Sequence, residues 1–293
     1  MQDQDFLIKI VVLALYVAVL FLIGILASRR IKGMSDYYVG GKKLGFWAVA
    51  FSARATGESG WLLIGLTGMG AMAGFSSYWV VIGELLGVIV SWQFMAKRFK
   101  NRSDSYGSIT IPDYLQSHFK STTNNLRILA ASILVVFIVI YVASQIDVTG
   151  VAFKSMLGID YKVGALVGFF IVLTYIFIGG FVAAVWSDLF QGLLMFFGLV
   201  LLPIVVWFSM DHGAGVTEGL NAIDPTLTQV FGRSTDPWMN VFTILGFSMI
   251  GLGFLGSPQV YVRFMSIKDE TEIDKGKWVA AAFTLLTLSL IHI

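Results

Sequence analysis

The stretch from Phe51 to Gly70 places side chains that can hold an ion inside a long apolar run. Its polar residues and glycines stand almost next to each other, and they are Arg54, Thr56, Gly57, Glu58, Ser59 and Gly60. Glycine weakens a helix, and hydrocarbon offers no replacement for a lost backbone hydrogen bond. We therefore predict a helix that is interrupted in mid-membrane, with freed oxygens available to a cation or a polar solute. The alternative is a helix that bends only to pack closely against a neighbour.

The composition indicates an integral membrane protein. Of the 293 residues, 57% are hydrophobic and 13% are charged, whereas soluble domains carry about 25% charged residues. The apolar runs are long and continuous, which favours spanning helices over the alternating segments of a barrel. The chain has no cysteine and three scattered histidines, so thiolate and histidine metal sites are not indicated. Neither an enzyme, an organic cofactor nor a nucleic-acid partner is expected.

Apolar runs predict eight segments within the bilayer. They lie at about 6–27, 46–72, 78–96, 126–153, 163–185, 189–210 and 239–265, with a last run that starts near Trp278. A tight turn at Trp186-Ser187-Asp188 is predicted to join the fifth and sixth segments. Pro112 followed by Asp113 predicts the start of a short interfacial helix. Because the chain ends inside the last run, we expect it to be a fragment that does not transport by itself.

The basic residues predict the topology. Fifteen Lys and Arg residues lie in the alternate loops 29–43, 97–127 and 263–277, against three in the opposite loops. Cytoplasmic loops carry the excess of Lys and Arg, so the first set should face the cytoplasm. The N-terminus is then expected outside.

The second and seventh segments share an interruption by glycine near their centres. The residues responsible are Gly57 and Gly60 in one, and Gly251, Gly253, Gly256 and Pro258 in the other. Pro258 removes a backbone donor and clashes with the preceding turn, which frees carbonyls near Phe254. The two segments run in opposite directions and stand five spans apart, a pattern typical of inverted five-helix repeats. The alternative is a coincidence of two flexible helices.

Five segments resemble the solute:sodium symporter family, and within it the bacterial sodium/proline symporters. They are YVGGKKLGFW (38–47), SARATGESGWLLIGLTG (52–68), ITIPDYLQSHF (109–119), FIGGFVAAVWSDLFQGLLM (177–195) and GLGFLGSPQVYVRFM (251–265). The resemblance implies an all-α integral membrane protein with a five-plus-five inverted-repeat (LeuT-like) transporter fold. An extra N-terminal helix at 6–27 and a missing C-terminal part are implied as well. We expect one transporter domain over 1–293, with the first repeat at 46–210 and the second beginning at 239–293.

This resemblance implies sodium-driven import of a small organic solute, an amino acid such as proline, across a bacterial cytoplasmic membrane. Sodium, the solute and the lipid bilayer are then the partners of a multi-pass protein. Two alternatives stay open. One is a solute-sensing membrane receptor domain on the same fold, and the other is a symporter for another amino acid, a carboxylate or a sugar.

Site residues follow from the resemblance position by position. Sodium ligands are implied at the backbone carbonyls of Ala55 and Glu58 and at Ser59, with Asp188 at the inner end of the sodium path. Substrate contacts are implied at Gly57, Gly60, Trp61, Ile250, Gly251, Phe254 and Pro258. The proline-carrying members have aspartate where this chain has Gly57 and methionine where it has Glu58. They also have tryptophan and tyrosine at the positions of Ile250 and Phe254.

Glu84 and Asp147 add two acids to the predicted spans. A charge at the bilayer centre costs at least ~2.5–3.5 kcal/mol, so each acid needs a partner or a watery cavity. Among the basic residues, Arg54 is predicted to lie nearest to these acids in bilayer depth. One interpretation is a structural pair, either Glu58–Arg54 or Glu84–Arg54. In the other, an acid such as Glu84 contacts a cationic group of the substrate.

Overall fold

The computed structural model describes residues 2–209 and 214–290, and the regular structure of these residues is helical. The helices are α1 (Gln2–Ser28), α2 (Met34–Val39), α3 (Phe46–Gly60), α4 (Thr67–Ala73), α5 (Tyr78–Val90), α6 (Lys97–Ser105), α7 (Ile111–His118), α8 (Asn125–Leu157), α9 (Tyr161–Ser209), α10 (Ala214–Ile223), α11 (Pro237–Ser248), α12 (Ile250–Leu255), α13 (Pro258–Ser266) and α14 (Glu270–Leu290). Two single π-helical turns, Trp61–Leu66 and Ser91–Ala96, connect α3 to α4 and α5 to α6. Met210, Asp211 and the end of the last apolar run at 291–293 lie outside the described residues.

Five helical stretches are long and apolar enough to cross a membrane. They are Gln4–Ser28, Ile64–Ser105, Asn125–Leu157, Tyr161–Ser209 and Pro237–Leu255. The predicted multi-pass character is thereby confirmed for the described residues, and the count of eight segments stays a prediction.

The turn predicted at Trp186-Ser187-Asp188 is wrong, because these three residues are helical in α9. A straight helix of 49 residues would be about 74 Å long, more than twice the hydrocarbon thickness. The interruption lies instead at Gly180, whose φ of 56° and ψ of −151° are not helical. A Cβ at Gly180 would lie 2.8 Å from the carbonyl oxygen of Tyr37, so both the conformation and the packing require glycine.

The chain divides into two compact units, and the first comprises the described residues of Met1–Leu44 and Arg102–Ser187. Within it, α1 approaches α9 closely at Gly24, where a Cβ would lie 3.0 Å from the carbonyl oxygen of Tyr175. The short helix predicted from Pro112 and Asp113 is confirmed as α7. Its cap is Thr110, whose hydroxyl accepts a hydrogen bond from the Asp113 N–H at 3.2 Å.

The second unit comprises the described residues of Gly45–Asn101 and Asp188–Ile293. In it α3 packs against α13 and α14, and α5 packs against α11, α12 and α14. Glycine makes the closest of these approaches possible, since a Cβ at Gly83 or Gly87 would clash with the backbone of Ser248 or Gly251. An apolar cluster lies beside these helices and is formed by Leu62, Leu66, Val80, Val81 and Leu288. This unit contains both interrupted helices that the sequence predicted.

Candidate ion and solute site

The interruption of α3 lies at Ser59, which has φ 39° and ψ −159°. The predicted break is confirmed, although serine and not a neighbouring glycine takes the left-handed conformation. The Trp61 N–H lies 3.4 Å from the Ser59 hydroxyl oxygen. It also donates to the carbonyl of Glu58. The break therefore gathers a carbonyl and a hydroxyl oxygen at one place, the donor type that sodium takes from unwound helices.

The second interruption separates α12 from α13 and is also confirmed. Ser257 is extended, with φ −72° and ψ 110°, and Pro258 is the first residue of α13. Proline suits this position because its missing N–H would have no partner in the first helical turn. The hydroxyl of Tyr261 donates to the freed carbonyl of Leu255 at 2.7 Å. A side chain thus satisfies part of the backbone that the break exposes.

A buried charge cluster joins α3 to α5 and α14. Arg54, Glu58 and Glu84 are exposed by only 1%, 0% and 1%. Nη2 of Arg54 lies 2.8 Å from Oε1 of Glu84 and 3.2 Å from Oε1 of Glu58. The Thr287 hydroxyl on α14 lies 3.1 Å from the same Glu58 oxygen. Both acid pairs considered from the sequence therefore exist together on one arginine.

Three polar atoms of this cluster are buried without a hydrogen-bond partner among the described residues. They are Nε and Nη1 of Arg54 and Oε2 of Glu58. The ring of Phe254 on α12 lies over the guanidinium, with its centroid 5.2 Å from Cζ of Arg54. A Cβ at Gly57 would lie 2.6 Å from Cε1 of Phe254, so the missing side chain lets the ring rest against α3. Arg54, Gly57 and Phe254 thus meet at one point between the two interrupted helices.

A second polar cluster surrounds Asp188. Its Oδ2 accepts hydrogen bonds from the hydroxyls of Ser52 at 2.6 Å and Thr56 at 3.3 Å. The guanidinium of Arg263, a residue only 6% exposed on α13, also lies 2.6 Å from that oxygen. Arg263 further donates to Ser52, Thr56 and the carbonyl of Gln259. Asp188 is therefore held by two hydroxyls and one cation.

These two clusters occupy different faces of α3. Ser52 and Thr56 are four residues apart and share one face, and Arg54 and Glu58 share another. Two residues along a helix correspond to a rotation of about 200°, so the faces point in nearly opposite directions. The side chain of Glu58 consequently belongs to the Arg54 cluster, and its backbone carbonyl is the group that lies at the break.

Three more of the predicted residues belong to the second unit, and Asp147 belongs to the first. Trp61 and Ile250 pack against the apolar cluster of the second unit. Gly251 lies against α5, where a Cβ would clash with the carbonyl of Gly83. Asp147 lies in the first unit and accepts a hydrogen bond from Tyr161.

The sequence did not identify Ser52, Arg263 or Thr287 as site residues. Arg263 was counted only as a basic loop residue, whereas the structure buries it on Asp188. A signal was available, because Arg263 interrupts the apolar run VYVRFM. Thr287 lies in a plain apolar helix and carries no such signal.

Comparison with known proteins decides the family. The sequence profile of the Sodium:solute symporter family matches residues 37–293. The chain belongs to the sodium:solute symporter family. Relatives in this family include the high-affinity proline transporter PutP of Bacillus subtilis (strain 168), which is 35% identical over 269 residues, covering 92% of this chain and 56% of that protein. The osmoregulated proline transporter OpuE of the same strain is 31% identical over 280 residues, covering 95% of this chain and 56% of that protein.

A sodium/proline symporter of Staphylococcus aureus (strain JH9) is 33% identical over 269 residues, covering 91% of this chain and 51% of that protein. The chain thus spans about half the length of the curated relatives it matches. A substrate-bound, outward-open structure of a Na+-coupled sialic acid symporter superposes with a TM-score of 0.79 at 22% identity. That match covers 97% of this chain and 60% of the other. It confirms the helical symporter fold that the sequence resemblance implied.

Proposed function

We propose that this sequence belongs to a sodium-coupled symporter that imports a small organic solute, an amino acid such as proline. The observation that carries the proposal is the contact between the two interrupted helices at Gly57 and Phe254. Transporters with such helices bind solute and ion where the helices are unwound. Membership of the sodium:solute symporter family supports sodium as the coupling ion. The proline transporters among the relatives support an amino acid as the solute.

The sodium site is assigned to the break in α3. Carbonyl oxygens of Ala55 and Glu58 and the hydroxyl of Ser59 supply hard oxygen ligands there, with no organic cofactor. Asp188 provides a carboxylate further along the path toward the cytoplasm, and Ser52 and Thr56 add hydroxyl oxygens beside it. The described residues contain no group of three or more His, Cys, Asp or Glu side chains that could hold a metal ion.

The solute site is assigned to the space between the interrupted helices. Gly57, Gly60 and Trp61 border it on α3 and the turn that follows, and Glu84 borders it on α5. Ile250, Gly251, Phe254 and Pro258 border it on the other interrupted helix. Small residues let the backbones approach, and Phe254 sets the shape of the space next to Arg54.

The protein is a multi-pass membrane protein, and we place it in the cytoplasmic membrane of a bacterium with its N-terminus outside. The excess of Lys and Arg in the loops 29–43, 97–127 and 263–277 supports this orientation. Residues 46–210 then form the first inverted repeat, and 239–293 begin the second.

Transport in proteoliposomes tests this function. The complete reading frame that carries this sequence is reconstituted, and uptake of radiolabelled amino acids is measured with an inward sodium gradient. We expect accumulation that stops when choline replaces sodium or when the gradient is collapsed. Asp188→Asn is expected to abolish accumulation, whereas Arg127→Gln, a change at an arginine whose side chain is 52% exposed, serves as the control. Solute binding without sodium-driven accumulation would contradict symport and favour a solute receptor.

A further inference from the structure

The buried charge cluster of α3 contains donors and an acceptor that no described residue of the protein uses. Nε and Nη1 of Arg54 and Oε2 of Glu58 have no hydrogen-bond partner among the described residues, although both side chains are almost wholly buried. Leaving a buried polar atom without a hydrogen bond lowers stability, and the loss is larger when the group is charged. Native proteins contain few such atoms, and functional sites are one place where they occur.

One of the free atoms, Nη1 of Arg54, lies beside the proposed solute site. A Cβ built on Gly57 would be 3.7 Å from Nη1 of Arg54 and 2.6 Å from the ring of Phe254. Nη1 therefore faces the same point at which the two interrupted helices meet. The ring of Phe254 covers the guanidinium and is itself partly exposed, so a turn of this side chain uncovers the free donors.

The charges of the cluster do not balance. One guanidinium, Arg54, faces two carboxylates, Glu58 and Glu84. The opposite face of α3 offers no compensating charge, because Arg263 is already paired with Asp188. Isolated charge is expensive in a water-excluded interior, so the cluster favours a ligand that brings a positive charge. A free donor on Arg54 next to this cluster also favours a ligand with a negative group.

We propose that Arg54 and Glu58 recognise the two charges of a zwitterionic amino acid, with its carboxylate on Nη1 of Arg54 and its ammonium on Oε2 of Glu58. The two protein groups already touch at 3.2 Å through their other atoms. The free atoms belong to these same two side chains, and an α-amino acid likewise carries its carboxylate and its ammonium on one carbon. A sugar supplies neither charge, and a simple carboxylate adds a third negative charge to the cluster. This inference rests on the proposed transport function and names the two side chains that recognise the charges of its solute.

Binding to the wild-type protein provides the first test. L-Proline is compared with pyrrolidine, which lacks the carboxylate, and with cyclopentanecarboxylate, which lacks the amine. The other common amino acids are tested in the same way with their decarboxylated amines, and glucose represents uncharged solutes. Affinity is read from the shift of the thermal unfolding midpoint in sodium. We expect at least one zwitterion to bind and each of its single-charge analogues to bind roughly 10- to 100-fold more weakly.

Variants provide the second test. Glu58→Gln keeps the shape of the side chain and leaves one acid facing one arginine, so we expect it to fold. It should lose the preference for the ammonium, which brings the affinities for the amino acid and for its carboxylate analogue together. Arg54→Lys should weaken binding of the zwitterion more than that of the amine. Arg127→Gln is the matched control and should change neither preference.

Binding of glucose, of an amine alone or of a carboxylate alone as tightly as any zwitterion would overturn the inference. So would the absence of any zwitterion that binds. If a sugar accumulates with the sodium gradient, and Arg54→Lys does not change this accumulation, symport is supported and the zwitterion site is contradicted. If a zwitterion binds but does not accumulate with the sodium gradient, the zwitterion site is supported and symport is contradicted.

Discussion

A guanidinium nitrogen of Arg263 lies 2.6 Å from Oδ2 of Asp188, within the second unit of the chain. The hydroxyl of Ser52 contacts both partners, at 2.6 Å from Asp188 and 2.6 Å from Arg263. Asp188 is the carboxylate that we assign to the sodium path, so a cation of the protein already occupies the position next to it. An ion that binds Asp188 must compete with this side chain.

Arg263→Gln should therefore change how sodium affects stability. Removing one partner of a largely buried ion pair costs about 3 kcal/mol, because the other charge remains desolvated. Sodium can replace the lost cation on Asp188, so we expect sodium to raise the unfolding midpoint of the variant more than that of the wild type. The measurement is a thermal melt in sodium chloride and in choline chloride. Arg263→Lys retains the charge and should behave more like the wild type; equal sodium effects in all three proteins would contradict the prediction.

The Arg54 cluster on the other face of α3 predicts which of three variants loses the most unfolding free energy. Arg54→Gln leaves two buried carboxylates without a cation and should cost about 3–5 kcal/mol of unfolding free energy. Glu84→Gln leaves Arg54 paired with Glu58 and should cost clearly less. Thr287→Val removes one hydrogen bond and should cost about 1 kcal/mol. Denaturant unfolding in micelles measures the order, and a loss in Glu84→Gln as large as in Arg54→Gln would contradict the charge count.

The close approach of α5 to α12 predicts a strong effect of a single methyl group. In Gly87→Ala the new Cβ would clash with the backbone carbonyl of Gly251, which cannot rotate away as a side chain can. Overpacking of this kind costs about 1–3 kcal/mol. Gly246→Ala on α11 is the control, because no atom lies within 4 Å of its added Cβ. The control should be neutral or slightly stabilising, since alanine favours a helix; equal melting points for the two variants would refute the close contact.

Acid should loosen the segment that leads from Asp224 to Arg233. The Thr226 N–H donates to Asp224 and, with Arg233, holds the pKa of this carboxyl below its usual range. A lowered pKa in the folded state gives stability that is present above the unfolded pKa of about 3.9 and is lost as the pH falls through the folded pKa. Hydrogen exchange of residues 224–233, corrected for intrinsic rates, should therefore increase only in strong acid. Asp224→Asn should exchange rapidly at neutral pH and show no such transition.

The sequence allowed the main breaks in the fold to be predicted, and the reason is local. Gly57 and Gly60 flank Ser59, and Pro258 opens α13, so the helix-breaking residues themselves stand at the breaks. The turn at Trp186–Asp188 was wrong for a different reason. Polar residues there suggested an interface, whereas the interruption depends on the φ of Gly180 and its contact with Tyr37. A contact between distant parts of the chain is invisible in a hydropathy pattern.

The candidate site was predictable only in part. Arg54 was expected to pair with Glu58 or with Glu84, and the structure shows both pairs at once. Arg263 interrupts the apolar run VYVRFM, but its partner could not be read from the sequence, because a charge near the end of an apolar run is usually solvated. Only the packing of α13 against α3 brings it to Asp188.

The opposite faces of α3 have a mechanical consequence. Ser52 and Thr56 contact the carboxylate assigned to the ion, and Arg54 and Glu58 carry the groups assigned to the solute. All four belong to the rigid part of the helix before Ser59, so any rotation of this segment moves both sets together. Thermodynamic linkage between ion and solute then requires no chain of intermediate residues. A single rigid helical segment that carries both sets of ligands is sufficient.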